Sequence, residues 1–140
     1  MTAFARRQRL ALADLLTDLP ASHRPLETRT TTGELFIHHE DVRRGRPGWE
    51  PRALDPAHER AIWRSVRLTG RLALRRLGVP TRVRPDGLEP FEVGERPQVT
   101  ISGPAGELAL FLSGRQRAAR VTVDGPAESA ERLRTARLGV

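Results

Sequence analysis

Hydrophobic positions recur with helical spacing through the first part of the chain and with strand spacing through much of the rest. Over residues about 2–19, Leu12, Leu15, Leu16 and Leu19 fall on one side with Arg and Asp opposite, predicting an amphipathic helix that Pro20 ends. Residues 20–30 read as a short polar connector. Thr31 and Glu34 form a T-x-x-E capping box, which predicts a second helix from Thr31 to about Arg44. Gly45, Pro47 and Gly48 then break the chain. Asp55-Pro56 supplies an N-cap acceptor and a proline at the first helical position, opening a third helix to about Leu77. Its apolar side is Ile62, Trp63, Val66, Ala73, Leu74 and Leu77, and Gly78 with Pro80 stops it.

Beyond Gly78 the period shortens. Val83, Phe91, Val93, Val99 and Ile101 mark short strands within 81–101, separated by Pro85-Asp86-Gly87 and Gly94. Gly103-Pro104 opens a helix to about Ser113, residues 120–124 alternate as a strand, and Pro126 opens a last helix to about Leu138. The expectation is an α + α/β chain in two parts. Residues 1–78 form a helical part of three helices, and residues 79–140 a small α/β domain in the order β-β-β-α-β-α.

Composition narrows the chemistry. The 140 residues carry 24 basic and 17 acidic side chains, a formal charge of +7, and every basic one is Arg. With no Cys there is no disulfide, thiolate zinc site, iron–sulfur cluster or Cys nucleophile, so any thiol must come from outside. A metal must therefore be held by carboxylates and the four His, at 23, 38, 39 and 58. No apolar run approaches the roughly 18–20 residues of a membrane span. Arg6, Arg7 and Arg9 precede a Leu-rich stretch, but Asp14 and Asp18 interrupt it, so the reading is a cytoplasmic amphipathic helix rather than a signal peptide. Arg43, Arg44 and Arg46 cluster, as do Arg64, Arg67, Arg71, Arg75 and Arg76 on the third helix. A nucleic-acid groove would want aromatics among them. The four Phe and two Trp are not interleaved with these runs, so a solvated face is the preferred reading.

The sharpest chemical feature is Glu34-Leu35-Phe36-Ile37-His38-His39-Glu40-Asp41. At about 100° per residue, Glu34 and His38 lie about 40° apart on the helix wheel and Asp41 about 20° to the other side of Glu34. The trio borders the expected buried stripe, with Leu35 and Val42 within a quarter-turn and Phe36, Arg43 and Arg44 pointing elsewhere. A carboxylate and an imidazole at i and i+4 can hold one divalent ion, and Asp41 or Glu40 can orient the imidazole. The same spacing also makes an ordinary surface pair. Arg115, after Ser113-Gly114, can take a substrate carboxylate or simply cap helix carbonyls. Trp49 reads as the cover of a core edge, Trp63 as core and His58 as exposed. The chain has no phosphate loop, dinucleotide fingerprint or nucleophile elbow.

Phe36-Ile37-His38-His39-Glu40-Asp41-Val42-Arg43-Arg44, with Pro47-Gly48-Trp49-Glu50-Pro51-Arg52, resembles the actinobacterial metal-binding branch of the DinB-like, mycothiol-dependent maleylpyruvate isomerase superfamily. The tail is similar too, in Val99-Thr100-Ile101-Ser102-Gly103, Gly106-Glu107-Leu108, Gly114-Arg115 and Val121-Thr122-Val123-Asp124-Gly125. The opening Ala5-Arg6-Arg7 and Leu10–Leu16 segments match more loosely. The resemblance implies a helical bundle followed by a small α/β domain. It further implies a divalent metal, zinc first, held by Glu34, His38 and a His of the preceding helix. Mycothiol is implied as cosubstrate, and a C-terminal Arg, matched by Arg115, contributes to activity. The family's second bundle helix has no counterpart, since only residues 20–30 separate Leu19 from Thr31, and His23 is the one His there.

The expectation is thus a shortened, DinB-like metal-binding protein with Glu34, His38 and His23 as ligands and Asp41 behind them. Its partners would be a small-molecule thiol or substrate and a second copy of the chain across the apolar surface the missing helix leaves, with no membrane and no nucleic acid. The alternatives are a non-enzymatic basic interaction module and an inactive remnant of the family.

Overall fold

A computed structural model of the chain describes residues 27–139. The predicted helix over 2–19 and His23 lie outside the described residues. Within them the order is α1 (Glu27–Arg44), α2 (Pro56–Leu77), β1 (Thr81–Pro85), β2 (Phe91–Val93), β3 (Val99–Gly103), α3 (Ala105–Leu112), β4 (Thr122–Asp124) and α4 (Ala127–Thr135). These are four helices and a four-stranded mixed sheet, an α+β arrangement, and the predicted β-β-β-α-β-α succession after Gly78 is present.

Local chemistry sets the ends. The Asp55 carboxylate accepts from the His58 backbone N–H at 2.9 Å, capping α2, and Pro56 occupies its first position. Gly78, in the left-handed region at φ 76°, donates its N–H to the Leu74 carbonyl and closes the helix. The start of α1 departs from expectation. The helix already runs at Glu27, so Thr31 lies inside it and the Thr31–Glu34 pair is no capping box. α4 ends at Thr135, short of the expected Leu138, because Ala136 adopts extended backbone.

The sheet order is β2-β1-β3-β4. β1 runs antiparallel to β2 and parallel to β3, with Val83 opposite Phe91 on one side and Ile101 on the other. β4 closes the edge antiparallel to β3. Alternation sends Thr81, Val83, Phe91, Val93, Val99 and Ile101 inward and Arg82, Arg84 and Glu92 outward.

α3 (AGELALFL), apolar on every side but for Glu107, is buried at every position. α2 packs against both α1 and α3. One core cluster joins Phe36 and Ile37 of α1, Ile62, Trp63, Val66 and Leu74 of α2, the inward strand residues, Leu108 and Phe111 of α3, and Leu133 of α4. The helical and sheet parts therefore share their apolar interior. Glycines set the closest approaches. A Cβ on Gly33 would lie 2.1 Å from Ser65 Oγ, and one on Gly70 would lie 2.8 Å from Leu112 Cδ1.

The buried stripe of α1 differs from the expected one. Phe36, Ile37 and Glu40 turn inward, while Val42 is 63% exposed. The carboxylate of Glu40 can be buried because cations meet it there, and with Phe36 it carries the stripe away from Val42.

Candidate functional site

Two constellations emerge on α1, and they divide the residues of the H-H-E-D-V-R-R block between them. The first is an ionic cluster centred on Glu40, which is 0% exposed. Its Oε1 accepts from Arg52 Nε at 2.8 Å and Nη2 at 2.5 Å. Its Oε2 accepts from Arg43 Nη1 at 2.6 Å and Arg44 Nε at 3.0 Å. Arg44 reaches on to α3, donating to both oxygens of Glu107 at 2.6 Å and to the Ala118 carbonyl at 2.7 Å. Glu107 also accepts the Arg120 backbone N–H at 2.9 Å, and Arg43 donates to the Glu50 carbonyl. The guanidinium carbons of Arg44 and Arg120 lie 4.6 and 4.9 Å from the Trp49 ring centroid.

Burial alone would push the Glu40 carboxyl up. The hydrogen bonds from Arg44 and Arg52, with the charges of Arg52 and Arg43, outweigh it and hold Glu40 below the usual carboxylate range. Burial works against the Arg44 cation too, but Glu107 and Glu40 raise its pKa further above the ordinary arginine value. His39 goes the other way: burial, then the Arg52 charge, lowers its pKa and favours the neutral ring, whose Nδ1 lies 3.3 Å from Arg52 Nη2. This cluster ties α1, the 45–55 loop, α3 and the segment after α3 into one unit. Its ionic groups are already satisfied by one another, which suits architecture rather than ligand exchange.

The second constellation is a pocket of about 350 Å³ between α1, α2 and the end of α3. Glu34 and His38 of α1 line it, as do Arg76 of α2 and Arg115 after α3, over an apolar floor that includes Ile37 and Val66. Glu34 and His38, paired in the sequence by their spacing, and Arg115, singled out apart from them, thus border one space. Glu34 and His38 are exposed and make no hydrogen bond or ion pair among the described residues. Asp41 is engaged elsewhere: its oxygens accept from Arg115 Nε at 3.2 Å and Nη2 at 3.0 Å, so its partner is Arg115 rather than His38. Arg115 Nη1 donates to the Ser113 carbonyl at 2.6 Å, which fixes the guanidinium at the pocket wall. His58 is half-buried, its Nδ1 2.6 Å from Asp55 Oδ2, and stands away from this pocket.

The donor chemistry suits a divalent ion. Glu34 supplies a hard oxygen and His38 a nitrogen from successive turns of one helix, and neither is spent on another side chain among the described residues. Among the described residues no three His, Asp or Glu side chains converge as a metal-holding group. A third donor would come from outside them, where His23 lies.

Sequence reasoning missed Arg76 as a pocket residue, having read it only within the basic stripe of the third helix. It also missed the Arg44–Glu107 pairing. One signal was present: a lone Glu in the apolar run Ala105–Leu112 needs a buried cation. No helix among the described residues is long and apolar enough to cross a membrane. Comparisons with family models, with curated proteins and with solved structures give no match to this chain.

Proposed function

We propose that the protein binds a divalent metal ion, zinc first, at Glu34 and His38, and that a small-molecule thiol such as mycothiol reacts in the adjoining pocket by transfer or isomerisation. The observation that carries this reading is the meeting of Glu34, His38 and Arg115 around one pocket, with the two metal donors unengaged among the described residues. The reading takes α1 and α2 as members of a shortened DinB-like bundle and His23 as the third ligand.

When bound, a divalent ion supplies Lewis-acid chemistry that lowers the pKa of a coordinated thiol toward neutrality. The protein's side chains supply the rest. Ile37, Val66 and Leu138 form apolar walls that limit water. Arg115 presents a cation already shared with Asp41, so a substrate carboxylate arriving there competes with Asp41. Arg76 has no partner among the described residues and meets such an anion without that competition.

Two measurements test the reading. A ligand that binds only the native state raises stability, by about 2.7 kcal/mol at a hundred times its Kd. Zinc is expected to raise the Tm of the wild type and not that of the Glu34→Ala/His38→Ala double variant. Thiol-dependent transfer is expected to stop when a chelator is added and to return with zinc. Activity indifferent to the chelator removes the enzymatic half of the proposal.

A further inference from the structure

A second cleft, of about 470 Å³, opens beside Arg115 between the turn after α3 and the end of α4. Arg115 and Arg117 come from the turn, and Arg134 and Arg137 from the segment at the end of α4 and just past it. No carboxylate-bearing side chain lines this cleft among the described residues.

The two walls are held in place from within. Gln116 Nε2 donates to the Ala136 carbonyl at 2.6 Å and reaches the Leu133 carbonyl at 3.4 Å. The Ala118 and Ala119 N–H groups both return to the Arg115 carbonyl at 3.1 Å, closing the turn. The arginines are therefore carried on fixed backbone.

Some of the arginines are engaged by acidic groups. Arg43, Arg44, Arg52, Arg82 and Arg115 each meet a carboxylate. Arg117, Arg134 and Arg137 are exposed and form no hydrogen bond or ion pair among the described residues. Arg134 offsets the C-terminal end of the α4 dipole; Arg117 and Arg137 have no such duty. Three like charges around one cleft repel until an anion enters. Guanidinium forks from two walls fit a tetrahedral oxyanion, with three acceptor oxygens and up to two charges, better than a planar carboxylate.

We propose that Arg117, Arg134 and Arg137 form a binding site for the phosphate group of a small-molecule ligand. This site stands apart from the Glu34–His38 pair and does not depend on a metal. Among the described residues the cleft offers no aromatic ring for base stacking, which favours a small phosphorylated ligand over nucleic acid.

Calorimetric titration of the full chain with inorganic pyrophosphate, at low ionic strength and with a chelator present, tests the site alone. The wild type is expected to show saturable binding of one pyrophosphate. The variant R117Q/R134Q/R137Q is expected to bind roughly tenfold more weakly or worse, and Arg117→Gln alone to lose part of that. The charge-matched R64Q/R67Q/R75Q, on the exposed face of α2, is expected to stay within about twofold of the wild type. All six positions are exposed, so these variants keep the core intact. Absence of saturable binding, or equal losses in both triple variants, overturns the proposal. Salt-sensitive DNA retention reduced equally by both triples, without saturable pyrophosphate binding, overturns it in favour of diffuse polyanion attraction.

Discussion

Glu40 shows how much one side chain can be asked to hold. Its carboxylate is fully buried with Arg43, Arg44 and Arg52 around it, and the side chains of Arg44 and Arg52 are only 3% and 6% exposed. Removing its charge leaves buried cations short of a partner. Glu40→Gln is therefore expected to lower the unfolding free energy by about 3–5 kcal/mol, measured by urea denaturation at neutral pH. The pH dependence follows from the direction of the shift. The folded-state pKa of Glu40 lies below its unfolded value of about 4.3, so its contribution is complete above that value and is lost as pH falls through the folded pKa. The stability gap between wild type and Glu40→Gln should narrow below about pH 4. His39 acts in a higher window. Its lowered pKa favours the neutral ring in the folded state, so stability falls as pH drops from about 6.5 toward the folded pKa. His39→Gln is expected to flatten the melting temperature over that range. Part of this was legible in the sequence: Arg43 and Arg44 stand three and four residues from Glu40, at helix-contact spacing. The Arg52 and Glu107 partners were not, because a loop and a helix sixty-odd residues away meet only through the tertiary fold.

At the scale of elements, caps and breakers were the readable signals. Asp55, Pro56 and Gly78 bounded α2 correctly because each acts on its own backbone within a turn. The capping box at Thr31 misled because a T-x-x-E pattern also occurs inside a continuing helix. The stripe of α1 misled because burial of Glu40 depends on the tertiary Arg52 pairing as well as on its helical neighbours. Helix contacts depend on absent side chains too. Gly70→Ala should gain up to about 1 kcal/mol of helix propensity in α2. The added methyl meets Leu112 of α3 at 2.8 Å, and overpacking of this kind costs about 1–3 kcal/mol. The expected result is net destabilisation, with recovery when Leu112 is shortened to Val in the same chain. Additive effects in that double-mutant cycle would mean the two helices do not meet there.

For the molecule as a whole, the ionic cluster and the pocket divide one short motif between architecture and chemistry. Glu40, Arg43, Arg44 and Arg52 lock α1 to α3 and to the surrounding loops, while Glu34 and His38, on the preceding turns of α1, have no hydrogen-bond or ion-pair partner among the described residues. The i, i+4 relation of Glu34 and His38 was legible from the sequence, because it is a property of one helix. That Arg115 and Arg76 border the same space was not, since that requires α2 and the turn after α3 to be packed against α1. The central claim is that this pair holds a divalent ion with His23 as third donor. Calorimetric titration with Zn²⁺ tests it most directly. The account predicts one ion per chain in the wild type, no binding in Glu34→Ala/His38→Ala, weaker binding in His23→Ala and unchanged binding in His58→Ala. Zinc bound as tightly by the double variant as by the wild type, or by neither, would contradict it.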